Sequence, residues 1–135
     1  MNWLKVLIIL SIHQNLAASE KSLEYKLGHF DKKVPKSFVF EIKDKVTFSK
    51  NCYENKKICL AKKRYKTPKN TEKFKQKNPN IDVSAMTCEN NLKGEVLYYK
   101  SESNTIEGFC YFKEDNSAVS LPTIRNKYKD NYIER

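Results

Sequence analysis

Cys52, Cys59, Cys88 and Cys110 constrain this chain more than any other feature. A chain of 135 residues holds one domain with a modest core, and covalent staples add most to stability at that size. Whether four thiols become staples depends on the compartment, and the N-terminus speaks to that. Met1 to Leu16 carries a single charge, Lys5. The apolar run VLIILSI from Val6 to Ile12 follows, then His13-Gln14-Asn15, then Ala17, Ala18 and Ser19. Charge, apolar run and small residues, in that order, make a secretory signal peptide, expected here over residues 1–18. The run is far shorter than the roughly 20 residues of a membrane span. No transmembrane segment is therefore expected after signal removal, and the localisation is secreted or periplasmic.

An even cysteine count in a small exported protein reads as disulfides. Three pairings are possible, and Cys52–Cys59 with Cys88–Cys110 is the expected one, since each bond joins residues close in sequence that fit a local element. The spacings C-x6-C and C-x21-C do not suit zinc, and a redox C-x-x-C is absent. The chain is rich in Asn yet has no Asn-x-Ser/Thr acceptor, which points to a bacterial exported protein rather than a glycosylated one.

Charge is the second constraint. The formal net charge is +10. The stretch from Lys56 to Lys77 holds ten basic residues against one acid, Glu72, so it carries +9 and the rest of the chain only +1. It has no continuous apolar stripe, and Pro68 interrupts it, so it is not an amphipathic membrane helix.

Along the mature chain, 19–35 is a polar arm in which Tyr25, Leu27 and His29 alternate with polar residues or glycine, compatible with a short strand. In 36–66 a β-hairpin region is expected. Phe38, Phe40 and Ile42 alternate with Val39, Glu41 and Lys43 at the strand period, and Asp44-Lys45 marks a turn or bulge. A second hairpin is expected across Cys52 to Cys59, with a return strand from Ile58 to Tyr65. Residues 67–80, containing Pro68 and Pro79, read as a basic linker. Residues 81–122 read as a helix followed by a β-hairpin. Asp82 or Ser84 caps the helix, Ile81, Ala85, Cys88 and Leu92 form its apolar stripe, and Gly94 closes it in the left-handed conformation. Strands follow at Glu95 to Lys100 and Gly108 to Lys113, and a short one at Ala118 to Leu121 that Pro122 ends. Of Tyr98 and Tyr99, one faces out. Residues 123–135 read as a polar tail, either a helical turn or disordered. The fold class is a small disulfide-stapled α+β protein.

Asn78-Pro79, Cys88, Gly94, Cys110, Phe112, Asp115 and Ser117 resemble a class of small exported bacterial cysteine-containing modules of unknown function, some of which carry a hemolysin label. The similarity covers Asn78 to Leu121. Lys93 stands where the first of two glycines is usual, and no cysteine follows Asp115. The resemblance implies an exported, disulfide-bonded helix-plus-hairpin module and no catalytic residues.

Catalytic chemistry has little to work with. The mature chain has one histidine, His29, so acid–base catalysis by paired histidines is excluded and a hydrolase would rest on His29 alone. No phosphate-binding glycine loop or metal-ligand spacing occurs, and no cofactor is expected. The leading expectation is a non-enzymatic binding protein. Its basic patch, Lys62, Lys63, Arg64 and Lys66, contacts an anionic polymer, an anionic lipid surface or an acidic protein. A secreted toxin or inhibitor acting on a membrane or host enzyme is the alternative.

Overall fold

The computed structural model describes residues 21–28, 36–54, 57–71, 73–75, 82–100, 103–129 and 132–133. The expected signal peptide, His29 and Asn78-Pro79 lie outside them.

Six antiparallel strands make one sheet. They are β1 (Lys21–Leu27), β2 (Lys36–Lys43), β3 (Val46–Ser49), β5 (Glu95–Lys100), β6 (Ile106–Phe112) and β7 (Ser117–Ser120), in the order β1-β2-β3-β7-β6-β5. β2 and β3 form a tight hairpin. Asp44 and Lys45 both take positive φ, 50° and 65°, the handedness that matches the twist of the flanking strands. The expected turn at Asp44-Lys45 is therefore present. The two halves of the chain join where Phe48 on β3 pairs with Val119 on β7.

The sheet curls until its outer strands meet. Gly28, just past β1, and Tyr98 on β5 exchange both backbone hydrogen bonds, at 3.1 and 2.9 Å. The ring becomes a small barrel whose two faces have different tasks. Tyr25, Phe38, Phe40, Leu97, Tyr99, Phe109, Tyr111 and Ala118 fill the inside. Phe48, Val96, Cys110, Phe112 and Val119 face outward into a second core, closed by helices. Tyr98 and Tyr99 do point to opposite faces, but both are half-buried, one against each core.

The helices are α1 (Asn51–Glu54), α2 (Leu60–Lys66), α3 (Val83–Met86) and α4 (Leu121–Tyr128). A π-helical turn, Thr87–Leu92, continues α3. A two-residue parallel pairing links β4 (Phe74–Lys75) to β8 (Tyr132–Ile133). Both expected disulfides are present, Cys52–Cys59 and Cys88–Cys110.

Three local expectations are corrected. The segment from Ile58 to Tyr65 is not a return strand: α2 occupies most of it, and Cys52–Cys59 joins two short helices rather than a hairpin neck. The first-turn N–H groups of α2 find acceptors that a strand reading hides. Asp115 Oδ2 accepts from Leu60 N at 2.6 Å, Ser117 Oγ from Ala61 N at 3.0 Å and Cys59 Sγ from Lys62 N at 3.3 Å. A helix N-terminus needs such acceptors.

Second, Gly94 does not take the left-handed conformation. Lys93 does, at φ 58°, accepting the roughly 1–2 kcal/mol that a side chain costs there. Gly94 supplies space instead. A Cβ there would lie 2.5 Å from Cys110 Sγ and 3.2 Å from Cys88 Sγ, so the chain crosses directly over the disulfide.

Third, the first part of the polar tail is α4. Ser120 caps it by accepting from Thr123 N at 3.2 Å, and Pro122 sits in its first turn, where a missing N–H costs nothing. Leu121, Ile124 and Tyr128 are buried beneath it.

Candidate anion-binding site

The predicted basic patch divides on α2. Lys63 is exposed. Arg64 turns inward and donates from Nη1 to the Leu92 carbonyl at 2.8 Å, with its guanidinium 5.9 Å from the Phe112 ring centre. That carbonyl belongs to the last turn of the π-helical segment, so Arg64 ties two elements together. It is a packing residue and leaves the expected binding set.

Lys62, Lys63 and Lys66 remain, and Lys62 and Lys66, one helical turn apart, share the face that the fold builds on. The fold adds two lysines that lie far away in sequence, Lys43 from the end of β2 and Lys127 from α4. Aromatic rings hold three of the four ammonium groups on that face. Lys62 Nζ lies 3.7 Å from the Tyr53 ring centre, and Lys43 Nζ lies 4.4 Å from the same ring. Lys127 Nζ lies 4.2 Å from the Tyr65 ring centre and donates to the Tyr65 carbonyl. An ammonium over a ring face is held without being neutralised. Glu41 is the acid at this site, 3.5 Å from Lys43 Nζ.

The electrostatics show the crowding. Partial burial pushes the Lys62 ammonium below its usual pKa, and the charges of Lys66 and Lys43 push the same way, against an opposing pull from Glu41. Burial also lowers Lys127, with Lys66 adding to it. Desolvation and like charges disfavour the ammonium form. An anion placed among these groups offsets the repulsion and favours the ammonium form.

No protein family, curated protein or solved structure matches the chain. Among the described residues no helix is long and apolar enough to cross a membrane, and no cluster of His, Cys, Asp and Glu has the makings of a metal site.

Two tyrosines give the fold a defined alkaline limit. Burial first, then the nearby Glu107 carboxylate, pushes Tyr25 up to about 12. Burial and Tyr65 push Tyr128 up to about 12. A phenol raised above its unfolded value of 10.0 favours the native state fully below pH 10. That contribution is lost as pH rises toward about 12. Phenolate absorbance is expected to show these two tyrosines titrating last, together with loss of near-ultraviolet dichroism. Complete titration of every tyrosine near pH 10 with the fold intact contradicts this.

Proposed function

We propose that this is an exported, non-enzymatic binding protein that holds an anionic partner on the ridge formed by Lys43, Lys62, Lys66 and Lys127. The observation that carries the reading is the convergence of these four lysines from three elements, three of them onto aromatic rings, with burial and neighbouring lysines disfavouring the charges of Lys62 and Lys127. Folding alone gives little reason to gather like charges in this way, whereas an anionic partner turns the arrangement into attraction. Export agrees with two disulfides in a small chain and with the signal-like N-terminus.

An inorganic polyphosphate chain is a suitable probe, since it presents closely spaced negative charges without sequence. Binding is expected to weaken steeply with salt, as counterion release requires. Lys43→Gln/Lys62→Gln/Lys66→Gln is expected to reduce affinity at least about tenfold, roughly 1.4 kcal/mol, and to flatten the salt dependence. Lys113→Gln, in the exposed β6–β7 turn, is expected to leave both unchanged. Equal loss in the Lys113 variant, or full binding by the triple variant, defeats the assignment. Arg64→Gln does not belong in this test, because it also releases the packing of α2.

A further inference from the structure

The barrel has a second candidate site at the end away from the Phe38–Tyr111 contact, and it differs in chemistry from the lysine ridge. Aromatic packing fills the lumen up to Tyr25 and Phe109, whose ring centres are 5.2 Å apart. Past them the inward-facing residues become small or polar: Thr47 on β3, Ser120 on β7 and Glu107 on β6, which share a face through the pairings Ile42↔Thr47, Phe109↔Ser120 and Tyr99↔Glu107. A mouth of about 350 Å³ results, within the range of small-molecule sites, which favour such positions. The first turn of α4 forms one wall. It reaches the barrel because Gly108 lacks a side chain: a Cβ there would meet Leu121 Cδ1 at 2.4 Å.

The charges at this mouth balance, in a chain with net charge +10. Asp82 and Arg125 pair with each other at 3.1 Å, and Asp82 is further occupied by Ser84. Glu107 stands beside the floor, hydrogen-bonded to the Tyr25 hydroxyl. A carboxylate has about four acceptor positions, so one phenol leaves room for further donors. Lys45 stands at the rim, and Ile106, 51% exposed, offers an apolar surface beside it. We infer that the barrel mouth binds a small amino-acid-like zwitterion, with its ammonium on Glu107, its carboxylate toward Lys45 and its apolar side chain against Ile42 and Ile106. A polyanion suits the ridge, whereas the balanced charges of this mouth give it no net attraction. The site is independent of the ridge.

The ammonium can come from a free amino acid or from the N-terminus of a peptide. Amide-resolved NMR titration of the mature protein with L-leucine, Leu-Gly-Gly and N-acetyl-L-leucine separates the cases. Saturable shifts at Thr47, Ser120 and Thr123 are expected with leucine, and none with the acetylated compound. Binding of leucine alone supports a free amino acid, and binding of both leucine and the tripeptide supports a peptide terminus. Glu107→Gln retains an acceptor for Tyr25, so the fold is preserved, and it is expected to weaken binding at least about tenfold. The ridge triple variant is expected to bind as the parent does. Equal shifts from N-acetyl-leucine, shifts confined to the ridge, no shifts with any probe, or full binding by Glu107→Gln overturns the inference.

Discussion

Phe40→Ala is expected to lower the free energy of unfolding by about 3–5 kcal/mol, the range for truncating a buried phenylalanine. Phe40 is fully buried inside the barrel. Its ring centre lies 4.4 Å from that of Phe109 and 5.7 Å from that of Tyr25. These partners come from β6 and β1, so removing the ring weakens the lumen from several strands at once. Val39→Ala, one residue away on the opposite face and 38% exposed, is expected to change stability by no more than about 0.5 kcal/mol. Urea denaturation of both variants checks the contrast. Similar losses from the two contradict the inside–outside assignment. A cycle on Tyr25 and Tyr99 tests ring closure separately. Their ring centres are 4.9 Å apart, yet β1 and β5 stand at opposite edges of the strand order. In a flat sheet these side chains never meet, so a coupling of about 0.5–1.5 kcal/mol is expected only if the sheet is curled.

The features that could be read from the sequence are those encoded by neighbours in the chain. The alternation of Phe38, Phe40 and Ile42 specified β2 and its inward face. The turn residues Asp44-Lys45 separate two strands. The cysteine pairs followed from closeness in sequence. α2 carries no local start signal, because its N-terminus is capped by a cysteine and by Asp115 and Ser117 from another hairpin. The start of α4 was legible: Ser120 followed by Pro122 is a cap with a first-turn proline, but the same proline also reads as the end of a strand. Ring closure depends on Gly28 meeting Tyr98, 70 residues on in sequence, and no local pattern encodes that. The candidate site shows the same division. Lys62 and Lys66 were visible as part of a charge run. Lys43 and Lys127 join them only through the packing of β2 and α4 around α2, and Arg64 leaves the set because a carbonyl 28 residues away claims it.

Removal of the Cys88–Cys110 bond, as Cys88→Ala/Cys110→Ala, is expected to cost about 5 kcal/mol, and removal of Cys52–Cys59 about 2–3 kcal/mol. Loop closure alone separates them only modestly. Sequence separations of 22 and 7 correspond to roughly 3.4 and 2.4 kcal/mol in the chain-entropy picture. Location adds the rest. Cys88 and Cys110 are fully buried where the π-helical turn meets the outer face of β6, so two lost sulfurs leave a void between elements that little else can fill. A loss of that size approaches the whole stability of many small domains, and the variant is expected to be largely unfolded at physiological temperature. Gly94 provides the internal check. In the parent, Gly94→Ala drives a methyl against Cys110 Sγ and is expected to cost about 2–3 kcal/mol. In a Cys88→Ala/Cys110→Ala background, assayed at low temperature where it folds, both sulfurs are gone. Of the three nearest atoms, Phe112 Cε1 at 3.1 Å from the added Cβ still resists, and the cost is expected to fall to about 1 kcal/mol or less. Unfolding curves for the four proteins measure that difference as a coupling energy. Strict additivity contradicts the assignment of Gly94 as the residue that makes room for the disulfide.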